Sequence, residues 1–250
     1  MCEVTIVIPN YKGKEYLLHC VRSLHENDDT DKKILIVDNA SADGSVEEVQ
    51  KFYPDVEFIM LDKNCGFCKA VNIGIEKTET PYVILLNNDT IIKKDFVFHL
   101  LHAIKKDPNL FSVEPKMIQY HDQTKIDSAG TYYNALGWAY AYGKDKDKEL
   151  YNSCRKIFAA CGGASIYKRS VFEKIGMFDE KHFAYLEDVD IGYRARIKGF
   201  TNAYEPKAQV IHVGSAASGA RYNGFKIRLS SRNNVYLIYK NMPVLQIVIN

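Results

Sequence analysis

The sequence predicts an α/β fold in which helices flank a doubly wound, mostly parallel sheet. Strand-like and helix-like patterns alternate four times at short intervals within residues 4–106, as they do in βαβ units. The segment 82–86 is an unbroken apolar run, which is typical of a strand buried on both faces of a parallel sheet. With 250 residues and 46% hydrophobic residues, the chain is able to bury a large core.

Each element has its own signal in the sequence. Short apolar runs predict strands, and apolar residues at helical spacing predict the helices between them. The predicted strands cover residues 4–9, 33–37, 56–61, 82–86 and 209–213. The predicted helices lie around 17–24, at 46–52, around 70–75, and at 95–106, 169–175 and 186–198.

The alternation stops near residue 118. Residues 119–155 are rich in Tyr, Lys and Asp, and they are interpreted either as a solvated insertion with a hairpin or as a loop region, including Trp138, that shapes a sugar pocket. Residues 216–250 are predicted to be a basic, amphipathic helical extension. Three interpretations of this extension are open: a solvated face, a clamp for a diphosphate, or a surface that lies on anionic lipid. Because its last residues are still apolar, we expect the sequence to be part of a longer chain.

Composition narrows the classes of partner and compartment. The net charge of +2 is too small to indicate nucleic acid as the main partner. The first residues lead straight into a strand without an export signal, and no run of 18 apolar residues occurs. We therefore interpret the six cysteines as free thiols in a reducing compartment and expect a cytoplasmic protein. The sequence does not indicate an oligomeric state.

Polar residues follow four of the predicted strands. In a parallel sheet, the carboxyl ends of the strands share one edge, where ligands bind. A nucleotide needs such convergence: a carboxylate accepts from the imide of uracil or thymine, an aromatic ring stacks on the base, and glycine lets the backbone approach. The groups are Pro9-Asn10-Tyr11, Asp38-Asn39, Asn64 with Gly66, and Asn87-Asn88-Asp89. No G-x-G-x-x-G follows the first strand and no P-loop motif occurs, so neither a dinucleotide site nor a P-loop enzyme is expected.

The individual groups have simpler interpretations too. Asn87-Asn88-Asp89 could hold a hard cation through oxygen, or it could be an ordinary turn. Glu187 and Asp188 could stabilise the start of a helix, or a carboxylate beside the preceding aromatic residues could have a raised pKa and act as a general base. His212, alone on an apolar strand, could be structural or a ligand.

Taken in order, these motifs resemble the family-2 glycosyltransferases with the GT-A fold, specifically the rhamnosyltransferase-like branch. The resemblance covers residues 4–235. It is carried by 7–11, 37–45, 64–67, Asn87-Asn88-Asp89, Gly162-Gly163-Ala164, Glu187-Asp188-Val189-Asp190, and His212 with Arg232-Asn233. It implies a GT-A domain at 1–215, with a nucleotide-binding half at 1–118 and an acceptor-binding half at 119–215.

The resemblance also implies roles for individual residues. Asp89 and His212 would bind Mg²⁺ or Mn²⁺, although Asn87 departs from the first position of the family's D-x-D element. Asp188 would be the catalytic base, assisted by Glu187. The nucleotide-sugar would be held by Pro9, Asn10, Tyr11, Asp38, Asn39, Asn64, Gly66, Lys69 and Asn88. The acceptor or the diphosphate would meet Gly163, Trp138 and Arg232.

The implied reaction is inverting transfer of a sugar from a UDP- or dTDP-sugar to a hydroxyl of a glycan or lipid-linked acceptor. The branch favours rhamnose, and the basic extension suits peripheral contact with the cytoplasmic face of the membrane. Two alternatives stay open at this point. One is a nucleotidyltransferase that makes such donors, and the other is a non-catalytic domain that binds nucleotide-sugars.

Overall fold

A computed structural model of the chain describes residues 2–214 and 223–249, and their strands form a ten-stranded sheet and a two-stranded hairpin. The strands are β1 (Val4–Asn10), β2 (Lys33–Asp38), β3 (Glu57–Met60), β4 (Tyr82–Leu86), β5 (Thr90–Ile92), β6 (Leu110–Gln119), β7 (Ile126–Ser128), β8 (Thr131–Tyr133), β9 (Ala139–Ala141), β10 (Arg155–Ile157), β11 (Ala164–Lys168) and β12 (Thr201–His212). The α-helices are α1 (Lys14–Glu26), α2 (Ser45–Phe52), α3 (Phe67–Lys77), α4 (Phe96–Lys105), α5 (Arg169–Ile175), α6 (Glu187–Ile197), α7 (Gly224–Asn241) and α8 (Val244–Ile249).

The predicted alternation of strands and helices is confirmed. Strands β3, β2, β1 and β4 are neighbours in that order and are parallel. The register places Asn10 opposite Asp38, so the polar residues that end the strands lie side by side. This edge of the sheet is where the sequence predicted a site.

Strand β4 is buried on both faces, as its apolar run predicted. Ile84 and Leu86 pack into a core with residues of α1 and α4, whereas Val83 and Leu85 pack into a second core with residues of α3, α5 and α6. Helices therefore cover both faces of the sheet, which is the doubly wound arrangement.

The two longest strands of the sheet differ from the prediction: β6 was missed, and β12 is longer than predicted. Strand β6 carries Glu114 and Lys116, which are buried although charged, and β12 begins at Thr201 instead of residue 209. Charged residues and a proline in each strand interrupt the apolar pattern on which the prediction depended. The two strands pair in parallel, with a break in register between Glu205 and Gln209.

The sheet continues across residue 118, because β11 pairs with both β4 and β6 in antiparallel fashion. The sheet therefore does not divide the domain at residue 118. A nucleotide-binding half at 1–118 and an acceptor-binding half at 119–215 stay predictions. The C-terminal extension is helical in α7 and α8. Arg221, one of the basic residues of the predicted extension, lies in the segment 215–222, outside the described residues. Among the described residues, no helix combines the length and apolarity that crossing a membrane requires.

Candidate active site

A cleft of about 1170 Å³ opens at the carboxyl ends of the central strands. Its walls come from distant parts of the sequence: the strand ends before residue 90, the segment 183–189, and α7. The predicted site residues that line it are Pro9, Asn10, Tyr11, Asn39, Asn64, Gly66, Asn88, Asp89, Gly163, Glu187, Asp188 and His212.

A network of buried hydrogen bonds forms the floor of the cleft. Asn10 donates through Nδ2 to Oδ1 of Asp38 (2.7 Å) and to Oγ of Ser41 (3.1 Å) and Ser45 (2.9 Å). Its own Oδ1 accepts from Nδ2 of Asn88 (2.8 Å). Asp38 also accepts from the backbone N–H and the hydroxyl of Ser41. Asp38 therefore lies beneath the cleft and is not part of its lining, so its predicted contact with a base is not supported by its position.

The loop before α3 approaches the opposite wall closely. Asn39 donates to the carbonyl of Gly66 (3.2 Å) and accepts from the N–H of Cys65 (3.1 Å), and Gly66 donates to Oδ1 of Asn64 (2.9 Å). Gly66 has φ +86°, and a Cβ there would lie 2.6 Å from the ring of Phe183. Only glycine combines that conformation with that approach.

The predicted metal ligands are adjacent. Strand β12 pairs with β5 so that His212 lies opposite Thr90, and Nε2 of His212 is 3.5 Å from Oδ1 of Asp89. On the other side of the ring, Nδ1 is 2.8 Å from Oδ2 of Asp127. Asp127 also pairs with Lys144 (2.5 Å). Asp127 thus fixes the orientation of the imidazole that faces Asp89.

These side chains form a suitable donor set for a divalent cation. Burial opposes protonation of His212, but its contacts with Asp127 and Asp89 raise the pKa of the imidazole to about 10. The imidazolium and Lys144 in turn hold the pKa of Asp127 well below its usual range, despite burial. The site therefore stabilises positive charge. Because a ligating imidazole must be neutral, a cation would take the place of the Nε2 proton of His212, and this nitrogen with the Asp89 carboxylate would suit Mn²⁺ or Mg²⁺ while leaving positions for phosphate and water.

The predicted base lies at the start of α6. Asp188 accepts from the N–H groups of Val189 (2.8 Å) and Gly162 (3.2 Å). Burial raises the pKa of Asp188 despite these hydrogen bonds. Burial, followed by the charge of Asp188, raises the pKa of Glu187 to about 8. Oε2 of Glu187 has no hydrogen-bond partner among the described residues. The simpler interpretation, a helix start stabilised by exposed acids, does not account for this burial.

A second buried carboxylate supports the loop that holds Asp188. Glu114 accepts from the N–H groups of Cys161 (2.8 Å) and Gly130 (3.0 Å) and from the hydroxyl of Ser128 (2.5 Å). Burial raises the pKa of Glu114 to about 7. The consecutive N–H groups of Cys161 and Gly162 therefore bind two carboxylates, one structural and one in the cleft.

The turn before α6 is strained. Phe183, Tyr185 and Leu186 have φ values of 65°, 72° and 65°, and Ala184 donates to the carbonyl of His182 (2.8 Å). Phe183, with ψ −60°, has the conformation of a γ-turn that is rare in proteins. Such residues cost roughly 1–3 kcal/mol each and persist only where their surroundings hold them.

Three other predicted residues are not brought to the cleft lining. Lys69 pairs with Glu180 on the surface (3.2 Å). Trp138 lies at the tip of the β8–β9 hairpin and is 62% exposed. Arg232 lies at the surface and donates to the carbonyls of Lys181 (2.7 Å) and His182 (3.0 Å). Their predicted contacts with donor or acceptor therefore have no support in the positions of these side chains.

The cleft also contains residues that sequence reasoning missed, among them Asp127, Tyr140, Lys144 and Phe225. Asp127 had a usable signal, since it is a carboxylate within a short alternating segment, Ile126-Asp127-Ser128. The others had none, because their places depend on how the hairpin and α7 fold back over the sheet.

Comparisons with known proteins agree with this architecture. A family model described as Glycosyl transferase family 2 matches residues 5–176. The chain is 28% identical over 240 residues to the N-acetylglucosaminyl-diphospho-decaprenol L-rhamnosyltransferase of Mycobacterium tuberculosis, with 86% of this chain and 77% of the relative covered. It is 24% identical over 215 residues to the poly-beta-1,6-N-acetyl-D-glucosamine synthase of Staphylococcus aureus, with 81% of this chain and 50% of the synthase covered.

Two solved structures share the fold. GalNAc-T7 with UDP, GalNAc and Mn²⁺ superposes with a TM-score of 0.75 at 16% identity, and the mannosyltransferase PcManGT from Pyrobaculum calidifontis in complex with GDP-Man and Mn²⁺ with 0.63 at 15%. The matches cover 95% and 86% of this chain but only 48% and 58% of those chains, so the chain spans about half of their length. Because the family model matches well over half of the residues and these neighbours have the predicted GT-A fold, the chain belongs to glycosyltransferase family 2.

Proposed function

We propose that this glycosyltransferase moves a sugar from a UDP- or dTDP-sugar to a hydroxyl of a glycan or lipid-linked acceptor, with inversion at the anomeric carbon. The observation that carries the proposal is that Asp89 and Asp188 line one cleft. Asp89 lies beside His212 in a set suited to a cation, and Asp188 is a half-buried carboxylate with a raised pKa. A single displacement needs one cationic site for the leaving diphosphate and one base for the incoming hydroxyl.

In this reaction, the acceptor oxygen forms a bond to the anomeric carbon while the bond from that carbon to the diphosphate oxygen breaks. The hydroxyl proton passes to the carboxylate of Asp188, and the nucleoside diphosphate leaves. The raised pKa of Asp188 makes it a stronger base than an exposed aspartate. A base of this kind contributes about 10² to 10⁴ in rate.

A divalent cation, Mg²⁺ or Mn²⁺, would be held by Asp89 and His212. When bound, it would offset the negative charge that develops on the leaving diphosphate. The solved neighbours with Mn²⁺ and a nucleotide or nucleotide-sugar support this part. Asp89→Ala is expected to weaken UDP or dTDP binding in the presence of Mn²⁺ and to leave metal-free binding unchanged in titration calorimetry. Equal metal-dependent affinity in both proteins would contradict the assignment.

We propose rhamnose as the sugar and a lipid-linked diphosphate as the acceptor. The support is the relative from Mycobacterium tuberculosis, which is named for rhamnose transfer to N-acetylglucosaminyl-diphospho-decaprenol. The synthase relative is named for an N-acetylglucosamine polymer, so dTDP-rhamnose and UDP-N-acetylglucosamine are the first two donors to compare.

With such an acceptor, we propose that the enzyme works at the cytoplasmic face of the membrane as a peripheral protein. Residues 223–249 contain Lys226, Arg228, Arg232 and Lys240 but no acidic residue, which favours anionic lipid. Gln246 of α8 donates to the carbonyl of Ala135 (2.9 Å), so α8 contacts the hairpin that carries the exposed Trp138. Trp138→Ser is expected to reduce co-sedimentation with anionic vesicles, whereas the exposed Phe52→Ser on α2 should not. Equal effects of both changes would count against this surface.

The whole proposal is tested with a panel of donors, Mn²⁺ and an N-acetylglucosaminyl diphospholipid acceptor. We expect release of the nucleoside diphosphate and a product whose new glycosidic bond has the opposite anomeric configuration to the donor, read by NMR. Retention of configuration would overturn the single displacement. Release of pyrophosphate would indicate nucleotidyl transfer, and donor binding without turnover would indicate a binding domain.

A further inference from the structure

Helix α7 is tied to one short segment, residues 179–190, which leads into the proposed base. Five of its side chains donate hydrogen bonds to this segment: Arg232, Asn233, Tyr236, Lys240 and Asn241. The segment includes the strained turn at 183–186. The residues of that turn line the cleft, and Glu187 and Asp188 follow it directly.

Asn233 is the centre of this contact. Its side chain is completely buried, and Nδ2 lies 3.0, 2.9 and 2.7 Å from the carbonyl oxygens of His182, Ala184 and Tyr185. An amide group has only two N–H bonds, so the three carbonyls share them. These carbonyls belong to the residues that surround the left-handed positions of the turn.

Arg232 orients the amide of Asn233. Its Nε and one terminal nitrogen donate to Oδ1 of Asn233 at 3.0 and 2.9 Å. Because a guanidinium only donates, the oxygen of the amide must face Arg232 and the N–H₂ group must face the turn. The same guanidinium also donates to the carbonyls of Lys181 and His182.

The far end of α7 closes a cluster of ionisable groups. Asp179, His182 and Asp190 lie close enough together to bind a metal ion, but Nζ of Lys240 is 2.7 Å from Asp179 and 3.0 Å from Asp190. The ammonium group therefore already supplies the positive charge. We assign this cluster to the attachment of α7 and not to a cation.

We propose that α7 holds the turn at residues 183–186 in its cleft-lining conformation, and that Asn233 is a positioning residue for the wall that carries Asp188. Without the shared N–H₂ group, three carbonyls would lose one hydrogen-bond donor each, and the turn would relax from its left-handed conformations. The ring of Phe183, which covers Gly66, would move with it. The turnover part of this inference rests on the proposed function, whereas the structural part does not.

The test compares Asn233→Asp with Asn234→Ala. The aspartate has nearly the same shape but cannot donate when ionised, while Asn234 is the next residue on α7 and its side chain makes no hydrogen bond within the described residues. Hydrogen–deuterium exchange and steady-state kinetics are measured on both full-length variants and on the parent. For Asn233→Asp we expect faster exchange of the amides at 182–189 and a fall in kcat of about 10-fold to 10²-fold, as for a misplaced catalytic group. The KM for the donor should change much less.

Unchanged exchange at 182–189 in Asn233→Asp, or the same loss of kcat in Asn234→Ala, would overturn the proposal. Asn233→Ser is a milder variant that keeps one short donor, and we expect an intermediate rate of exchange, so the proposal can be tested even if the aspartate variant does not fold. If the parent shows no sugar transfer, the proposed function fails, while the exchange data still decide whether Asn233 holds the turn.

Discussion

The two walls of the cleft are stabilised in different ways. On the nucleotide side, Asn10, Asp38 and Asn88 hydrogen-bond to one another at the ends of neighbouring strands. On the other side, the turn before Asp188 is strained, Glu187 leaves an oxygen without a partner among the described residues, and a helix about 50 residues away in sequence holds the backbone. The first wall is a satisfied network that the sheet positions by itself. The second has raised pKa values and depends on long-range contacts, as expected for the side to which we assign proton transfer.

The largest expected effect comes from a substitution in the wall that contains Asp188. Asp188→Asn keeps the shape of the side chain but removes the base, so we expect turnover to fall by at least about 10²-fold. Binding of UDP or dTDP should stay near that of the parent. Turnover is measured as release of the nucleoside diphosphate, and binding is measured by calorimetry. Parent-like turnover would remove Asp188 from the role of base.

On the nucleotide side of the cleft, we expect a substitution to change the stability of the fold more than the rate of the reaction. Asp38→Ala leaves Asn10 and Ser41 without their buried acceptor, so we expect the free energy of unfolding to fall by about 2–4 kcal/mol. Asp62→Ala, which changes an exposed aspartate, should alter it by less than about 0.5 kcal/mol. Urea unfolding of both variants measures the difference. A similar small change for both would mean that the network contributes little to stability.

A substitution of Asp127 tests the region where the two walls meet. Asp127→Ala removes the group that orients His212, and we expect Mn²⁺ affinity to fall by about 10-fold to 100-fold, the usual effect of losing such a partner. The control is Asp122→Ala, because Asp122 is an exposed carboxylate that accepts from Thr124. Titration of Mn²⁺ followed by electron paramagnetic resonance measures both. Equal affinity in the two variants would contradict a role for Asp127 at the metal.

The last expected effect is the pH dependence of stability. Because the pKa of Glu187 is raised to about 8 in the folded protein, the folded state keeps a proton that the unfolded chain loses above about pH 4.3. The free energy of unfolding should therefore fall as pH rises towards 8, by at most about 1.4 kcal/mol per pH unit from this group. Glu187→Gln should flatten this part of the stability curve, and the exposed Glu173→Gln should not. A curve for Glu187→Gln that follows the parent would show that Glu187 is not protonated on folding.

The sequence predicted the nucleotide side well because its signals are local. The apolar run at 82–86 identified a strand buried on both faces, and the polar residues after it identified the edge where a ligand binds. Asn10, Asn39, Asn64 and Asp89 all line the cleft as expected. The predictions depended only on the rule that parallel strands end at one edge.

The other side was predicted less completely. Strand β6 was missed because Glu114 and Lys116 interrupt its apolar pattern, although both are buried and hydrogen-bonded. Arg232 was expected at the diphosphate, but its guanidinium is taken up by Asn233 and backbone carbonyls. Local composition does not predict such contacts, because any arginine on an amphipathic helix gives the same sequence pattern.

The sequence by itself determined the alternation of strands and helices, and it predicted the edge of the sheet where the cleft opens and two carboxylates that line it, Asp89 and Asp188. Only the tertiary structure decided that Asp38 lies beneath the cleft, that Asp127 contacts His212, and that Asn233 donates to the turn before Asp188. The reason is physical. Secondary structure follows from periodicity within a few residues, whereas the partners of a buried polar group are chosen by the packing of segments that are distant in the chain.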